Sequence, residues 1–275
     1  IGASLLANRR ALGRLLVVPA ARARGRSLLV RGGALAARVV ARHPSERGFF
    51  TFTLITMLRS PWHRVVLAMA FGVALALAVV TMEASTIGWQ AAGREPLRES
   101  LVLATQCLLV VIVLAGVRVA AATPAELRAS WVLQLLESDR PDRWMAGFRK
   151  AVLSGLIAPV LLLLAGATAI QFGWRAAVIQ GLTAMVFAAA SFEVLFRDFG
   201  RVPFACPVEN GNGEFRVRGP VTVAIFTIML VPIADLVTAA QGSGSGVAAV
   251  LAAGAGITAL LRLRGSAHIS PFVWQ

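Results

Sequence analysis

The chain reads as an all-α, polytopic integral membrane protein. Three observations predict this: its composition, six apolar runs of spanning length, and the arginines gathered between them. Of 275 residues 57% are hydrophobic and 15% charged, with mean hydropathy +0.75. A water-soluble domain is nearer half apolar and about a quarter charged. A window of about 19 residues finds apolar runs at 65–82, 101–122, 151–171, 176–196, 220–240 and 246–263. Each approaches the ~20 residues that a helix rising about 1.5 Å per residue needs to cross about 30 Å of hydrocarbon. In lipid only helices or closed barrels satisfy every backbone group, and runs this long without alternation exclude a barrel.

Arginine placement predicts the orientation. The net charge of +14 comes from 26 Arg and one Lys against 13 acids. Residues 1–48 hold ten Arg and one acid, Glu46, and Arg59 and Arg64 follow before the first span. Arg128, Arg140, Arg143, Arg149 and Lys150 lie in the second connection, Arg197, Arg201, Arg216 and Arg218 in the fourth, and Arg262 and Arg264 at the end of the last span. The first connection sets Arg94 and Arg98 among Glu83, Glu95 and Glu99, the third has Arg175 alone, and residues 241–246 carry no charge. Cytoplasmic loops retain Lys and Arg, so both termini are expected on the cytoplasmic side. The expected organisation is a basic amphipathic lead-in over 1–61, a six-span membrane domain over 62–264 and a cytoplasmic tail over 265–275. Trp62, Trp89 and Trp174 then fall at membrane interfaces, where an amphipathic ring is favoured. The sequence pI near 11.8 follows from this loop bias, so nucleic acid is not an expected partner.

Three segments outside the spans carry pattern. The lead-in mixes Arg with Leu, Val and Ala, which fits a basic surface on anionic lipid at the cytoplasmic face or a solvated arm. Residues 49–58 are apolar but too short to cross, and Pro61 predicts a break before the first span. In the second connection Thr123, Pro124 and Glu126 form a capping-box arrangement, followed by Leu127, Trp131 and Leu135 at four-residue spacing. This predicts one cytoplasmic interfacial helix with Glu126 and Arg128 toward water. It either joins two spans or, through Glu126, Arg128 and Trp131, faces a cytoplasmic partner. The fourth connection is punctuated by Pro203, Pro207, Gly211 and Gly213, and residues 214–218 alternate as a short hairpin strand or form a plain loop.

Few ionisable groups reach the spans, and each is a functional candidate there. Asp235 follows Pro232 in the fifth span and either lines a polar pathway or meets water near the outer interface. Glu193 lies near the end of the fourth, with Arg197 four residues on as a local partner. Arg118 can snorkel from the second span, and Pro159 and Pro232 can kink theirs. Ala248, Ala252 and Gly256 recur every four residues in the last span as a helix-contact stripe, to be buried against another span of this chain or against a subunit.

Several chemistries lack their residues. Lys150 sits outside the spans, leaving no Schiff-base lysine for retinal. His43, His63 and His268 are all expected outside the hydrocarbon, away from any haem or metal at membrane depth. There is no GxxxxGK[ST] loop, no HExxH and no Ser/His pairing within the spans. Cys107 falls in a span and Cys206 in a loop, so no disulfide framework follows. No signal-peptide pattern is read in residues 1–48. The expected protein is not an enzyme and takes no cofactor.

The stretches RSPWHR at 59–64, PAELRASW at 124–131 and RVPFAC at 201–206 resemble segments of bacterial multi-span membrane proteins loosely described as permeases of ATP-binding-cassette exporters. The resemblance covers roughly residues 40–235. It implies a multi-pass protein of the bacterial inner membrane, with this chain as the C-terminal six-span half of a longer protein. The leading expectation is a permease-like subunit energised by a separate ATPase or partner chain. The alternative is a non-catalytic structural or accessory subunit of a larger membrane complex.

Overall fold

A computed structural model describes residues 28–89, 95–124, 141–197, 199, 203–204, 213–240 and 242–266. Among them there is no strand. The helices are α1 (Leu28–Val40), α2 (Pro44–Arg59), α3 (Pro61–Trp89), α4 (Glu95–Ala122), α5 (Pro141–Val152), a π-helical turn (Leu153–Ile157), α6 (Ala158–Phe172), α7 (Trp174–Leu195), α8 (Gly213–Ala240) and α9 (Gly244–Ser266).

Five stretches are long and apolar enough to cross a membrane: Pro61–Val80, Arg98–Ala122, Asp142–Phe172, Trp174–Leu195 and Gly244–Arg264. They contain or closely overlap five of the six runs read from the sequence. In α8, which holds the remaining run, the apolar stretch Thr227–Ala240 is shorter.

α4 is the centre of the bundle. It packs against α3, α7 and α8, and Val110, Val111, Val113, Leu114 and Val117 have no solvent exposure. α3 gives it a narrow stripe of Leu67, Ala74 and Ala78, while Met69, Val73, Leu75 and Val80 remain exposed. A single buried stripe on an otherwise apolar helix is the pattern of a helix whose outer face meets lipid. The stripe permits close contact: a Cβ added at Gly116 would lie 2.5 Å from Ala70 Cβ. At the other side α9 packs on α7.

Two turns set helix directions. Gly173, at φ 88°, separates α6 from α7, a left-handed conformation that favours a residue without Cβ. The π-helical turn has a covalent cause. Pro159 has no N–H to give the carbonyl four residues back, and the ladder shifts register just before it, with the Ala158 amide donating to Leu153 O. The α5–α6 rod therefore continues through its proline as one helical stretch, with a π bulge and no loop.

Outside the long spans the fold departs from the sequence reading. Residues 49–58, read as apolar but too short to cross, lie in α2, where Phe49, Phe50, Thr53, Thr56 and Met57 are buried and the helix packs along α5. Residues 214–218 are the first turns of α8 rather than a hairpin strand or loop; helical hydrogen bonding replaces a pairing for which no second strand lies among the described residues. The expected break at Pro61 is present, with Ser60 extended between α2 and α3. Glu126, Arg128 and Trp131, and the interfacial helix they define, lie outside the described residues. Thr123 is described, and its hydroxyl donates back to Ala120 O at 2.7 Å, closing the end of α4.

Candidate functional site

The richest side-chain arrangement is a junction where α2 and α5 meet the ends of α3, α4 and α7. Arg149 and Lys150 are adjacent on α5, so their side chains leave the helix about 100° apart. Each takes a carboxylate from a different neighbour: Lys150 Nζ lies 2.5 Å from Glu46 Oε2 on α2, and Arg149 Nη1 lies 2.6 Å from Glu193 Oε1 on α7. Glu193 is thus bonded across helices; the local Arg197 read from the sequence is displaced because α5 brings a guanidinium to the half-buried carboxylate. Glu46 also accepts the Arg42 amide at 3.3 Å. Burial pushes the Glu46 carboxyl up, but the Lys150 hydrogen bond, the Arg42 amide and the Lys150 charge together hold it below its ordinary value.

Aromatic rings fill the space between these pairs. Phe49 stacks on Trp144 at 5.6 Å, Phe192 on Phe196 at 4.4 Å, and Phe148 meets Phe192, Phe196 and Phe204 at 5.8, 5.3 and 5.9 Å. Such offset and edge-on geometries suit ring quadrupoles. Arg118 does not simply reach for the interface: its guanidinium lies over Phe196 and Phe199, 5.9 and 5.7 Å from the ring centroids.

Phe204 closes the junction. Its ring is buried against Phe52, His63 and Phe148, and its amide donates to Ala121 O at 2.9 Å, satisfying a carbonyl at the end of α4. Its backbone sits at φ 66°, the one positive-φ residue other than glycine among the described residues. A bulky side chain is strained there and persists only where its surroundings over-determine it. His63, expected outside the hydrocarbon, is buried at the head of α3. Its Nδ1 lies 2.7 Å from Ser60 Oγ, and its Nε2 lies 3.3 Å from Thr123 O. Phe204 edge-on at 5.2 Å completes its enclosure.

A second polar region lies between the spans. Gln106 Nε2 donates to Thr168 Oγ1 at 2.9 Å, joining α4 to α6. Beside them is a cleft of about 30 Å3 lined in part by Ala78, Thr105 and Gln171, room for one or two waters. On α7 the Gln180 carboxamide and Ser191 hydroxyl are buried, and neither has a hydrogen-bond partner.

The other sequence candidates are not gathered into either region. Asp235 and Pro232 are exposed on α8. Ala248, Ala252 and Gly256 are exposed on α9. Burial of that stripe against a span of this chain does not occur, because α9 approaches α7 through Gly254, where an added Cβ would lie 2.7 Å from Val186 Cγ1. Among the described residues no group of three or more His, Cys, Asp or Glu comes together. Sequence reasoning missed Glu46, His63, Phe204, Gln106 and Gln180. Glutamine inside an apolar run was the available signal for the last two, and the Phe-rich stretch at 192–204 for the ring cluster.

Comparison with known proteins gives no match: no family model, curated protein or solved structure is similar to this chain.

Proposed function

We propose that this chain is a permease-like membrane subunit that works with a separate ATPase or partner chain. It crosses the bacterial inner membrane six times, with α8 as the fifth crossing and both termini in the cytoplasm. One observation carries the reading. α5 runs through the π-helical turn into α6 without a loop, and its foot is tied to α2 and α7 by two ion pairs. A load applied to α2 or α5 therefore passes into α6 and α7 through packed helices rather than through a flexible connection. The chain itself performs no covalent chemistry in this reading; energy comes from its partner.

A non-catalytic structural subunit is the second reading. The scarcity of ionisable groups within the five stretches long and apolar enough to cross favours it. Gentle extraction from native membranes separates the two. Transport predicts co-purification with an ATPase subunit, and ATP-dependent movement of a solute in proteoliposomes made from that complex. Recovery as a lone, stable monomer would overturn it. Water around Asp235 in the assembled complex supports a pathway, whereas packing of Asp235 against a foreign subunit supports scaffolding.

A further inference from the structure

We propose that α1 is a lipid-binding helix lying flat on the bilayer surface, with Leu35 and Val39 in the acyl boundary and Arg38 and Arg42 on anionic phospholipid headgroups. The proposal rests on the membrane placement of α3 and α6 and is independent of the transport reading.

α1 has two faces. One is closed by protein: Ala37 is buried with Phe50 and Ala151, and Ala36, Val40 and Leu54 pack around them. The other is open and mixed. Leu35 is 62% and Val39 86% exposed, and Arg38 and Arg42 are exposed beside them. At about 100° per residue Leu35, Arg38 and Val39 fall within an arc of roughly 100°, and Arg42 follows two residues beyond the end of the helix. Arg38 takes one edge, Val39 the other, and Leu35 lies between. A helix that seals its inner face and offers cations and aliphatic groups side by side on the outer one matches a surface that is anionic above and hydrocarbon below.

Its height along the bundle agrees. α1 rests on Ala151 and touches the π-helical turn, at the foot of the apolar run 151–171 where α6 enters hydrocarbon. Nearby in sequence, Trp62 opens α3 with 59% exposure, flanked by exposed Arg59 and Arg64. A Trp between arginines at the head of a span marks the headgroup level. Among the described residues the two ion pairs engage Arg149 and Lys150, and neither engages Arg38 or Arg42. Glu46 is the sole acid in residues 28–60, and it is taken by Lys150. The guanidiniums of Arg38 and Arg42 thus complement the anionic lipids of a cytoplasmic leaflet, which attract such side chains within a Debye length.

The full chain, with Cys107→Ser and Cys206→Ser, is spin-labelled singly at Leu35, Val39 or, as a control on α2, Gly48. Each form is placed in nanodiscs of phosphatidylcholine with or without phosphatidylglycerol, and collision with oxygen and with a water-soluble nickel chelate is measured. The expected result is oxygen contact and nickel shielding at 35 and 39 in the anionic discs. That shielding is lost without phosphatidylglycerol and lost again in Arg38→Gln/Arg42→Gln, while position 48 is unchanged throughout. Nickel contact at 35 and 39 in both lipids overturns the proposal. Equal shielding in both lipids overturns the headgroup half of it. Shielding from both colliders in native membranes alone means that a protein covers the face, and also overturns it.

Discussion

Gly147→Ala tests whether α2 and α5 are locked at the junction. The added Cβ would stand 2.6 Å from the Glu46 carbonyl oxygen, 3.1 Å from Phe49 Cβ and 3.2 Å from Glu46 Cα. All three atoms belong to the α2 backbone or its first side-chain carbon, so no flexible end can swing away. Restoring van der Waals separations of about 3.5 Å requires α2 to retreat by roughly half an ångström or more, against the Phe49–Trp144 stack and the Glu46–Lys150 pair. Overpacking of this kind costs about 1–3 kcal/mol, offset by up to ~1 kcal/mol of helix propensity gained over glycine. Gly48 on α2 supplies the control. It is exposed, and an added Cβ there meets nothing within 4 Å, so Gly48→Ala gains ~0.5–1 kcal/mol with no packing cost. The two substitutions are chemically identical and should move stability apart by the packing cost itself, about 1–3 kcal/mol. Thermal unfolding in one detergent, followed by intrinsic tryptophan fluorescence, reads the difference. If Gly147→Ala raises the midpoint as much as Gly48→Ala does, the close crossing is not what holds α2 to α5.

Phe204→Ala and Phe204→Gly should rank in an unusual order. Both lose the ring, about 3–5 kcal/mol, but glycine recovers roughly 1–2 kcal/mol of left-handed backbone strain. The glycine variant is therefore expected to melt no lower than the alanine one, and a clearly lower midpoint for it counts against strain at φ 66°. Glu46 makes stability depend on acid. Its folded pKa lies below the ordinary 4.5, so its contribution is complete above about that pH and is lost as pH falls through the lower folded value. Glu46→Gln should flatten the midpoint against pH in that acid range, and an unchanged slope would show that the Lys150 pair does not form. Gln180→Leu removes a buried carboxamide with no partner at similar volume. It should raise stability by about 1–3 kcal/mol in the same melting assay, and a fall in stability would mean that Gln180 holds a polar partner such as a water.

The long helices were legible because lipid leaves the backbone so few options. A run of spanning length is a helix whatever its side chains, and 101–122, 151–171 and 176–196 needed only counting. α2 was not legible in the same way. Residues 49–58 are too short to cross, and their burial depends on α5, a helix about a hundred residues away that carries Trp144, Phe148 and Lys150 to meet them. Glu193 shows the same limit at one residue: sequence spacing offers Arg197, whereas packing delivers Arg149 at 2.6 Å. On α9 the four-residue period correctly marks a small-residue stripe, but periodicity does not say which stripe faces the bundle, and Gly254 rather than Gly256 is at the contact. Pro159 was readable as a disturbance; its form, a π-helical turn one step earlier, follows from where the missing amide leaves the ladder.

Several departures from local rules gather where α2 and α5 join the spans, the unpartnered Gln180 carboxamide within α7 being a further one away from that junction. Phe204 holds a backbone conformation that its side chain disfavours, the α5–α6 rod shifts its hydrogen-bond register, and charged groups are drawn inward in pairs. In the core of α4, by contrast, Val110, Val111, Val113 and Leu114 pack without any such compromise. Sequences agree with their folds at every level except where function asks otherwise, and strain survives only when surrounding contacts enforce it. A subunit that merely filled space between neighbours would have no use for strain where α2 and α5 enter the bundle. A subunit that passes force from those helices to α6 and α7 would, and this asymmetry is why the coupling reading is preferred to the scaffold one.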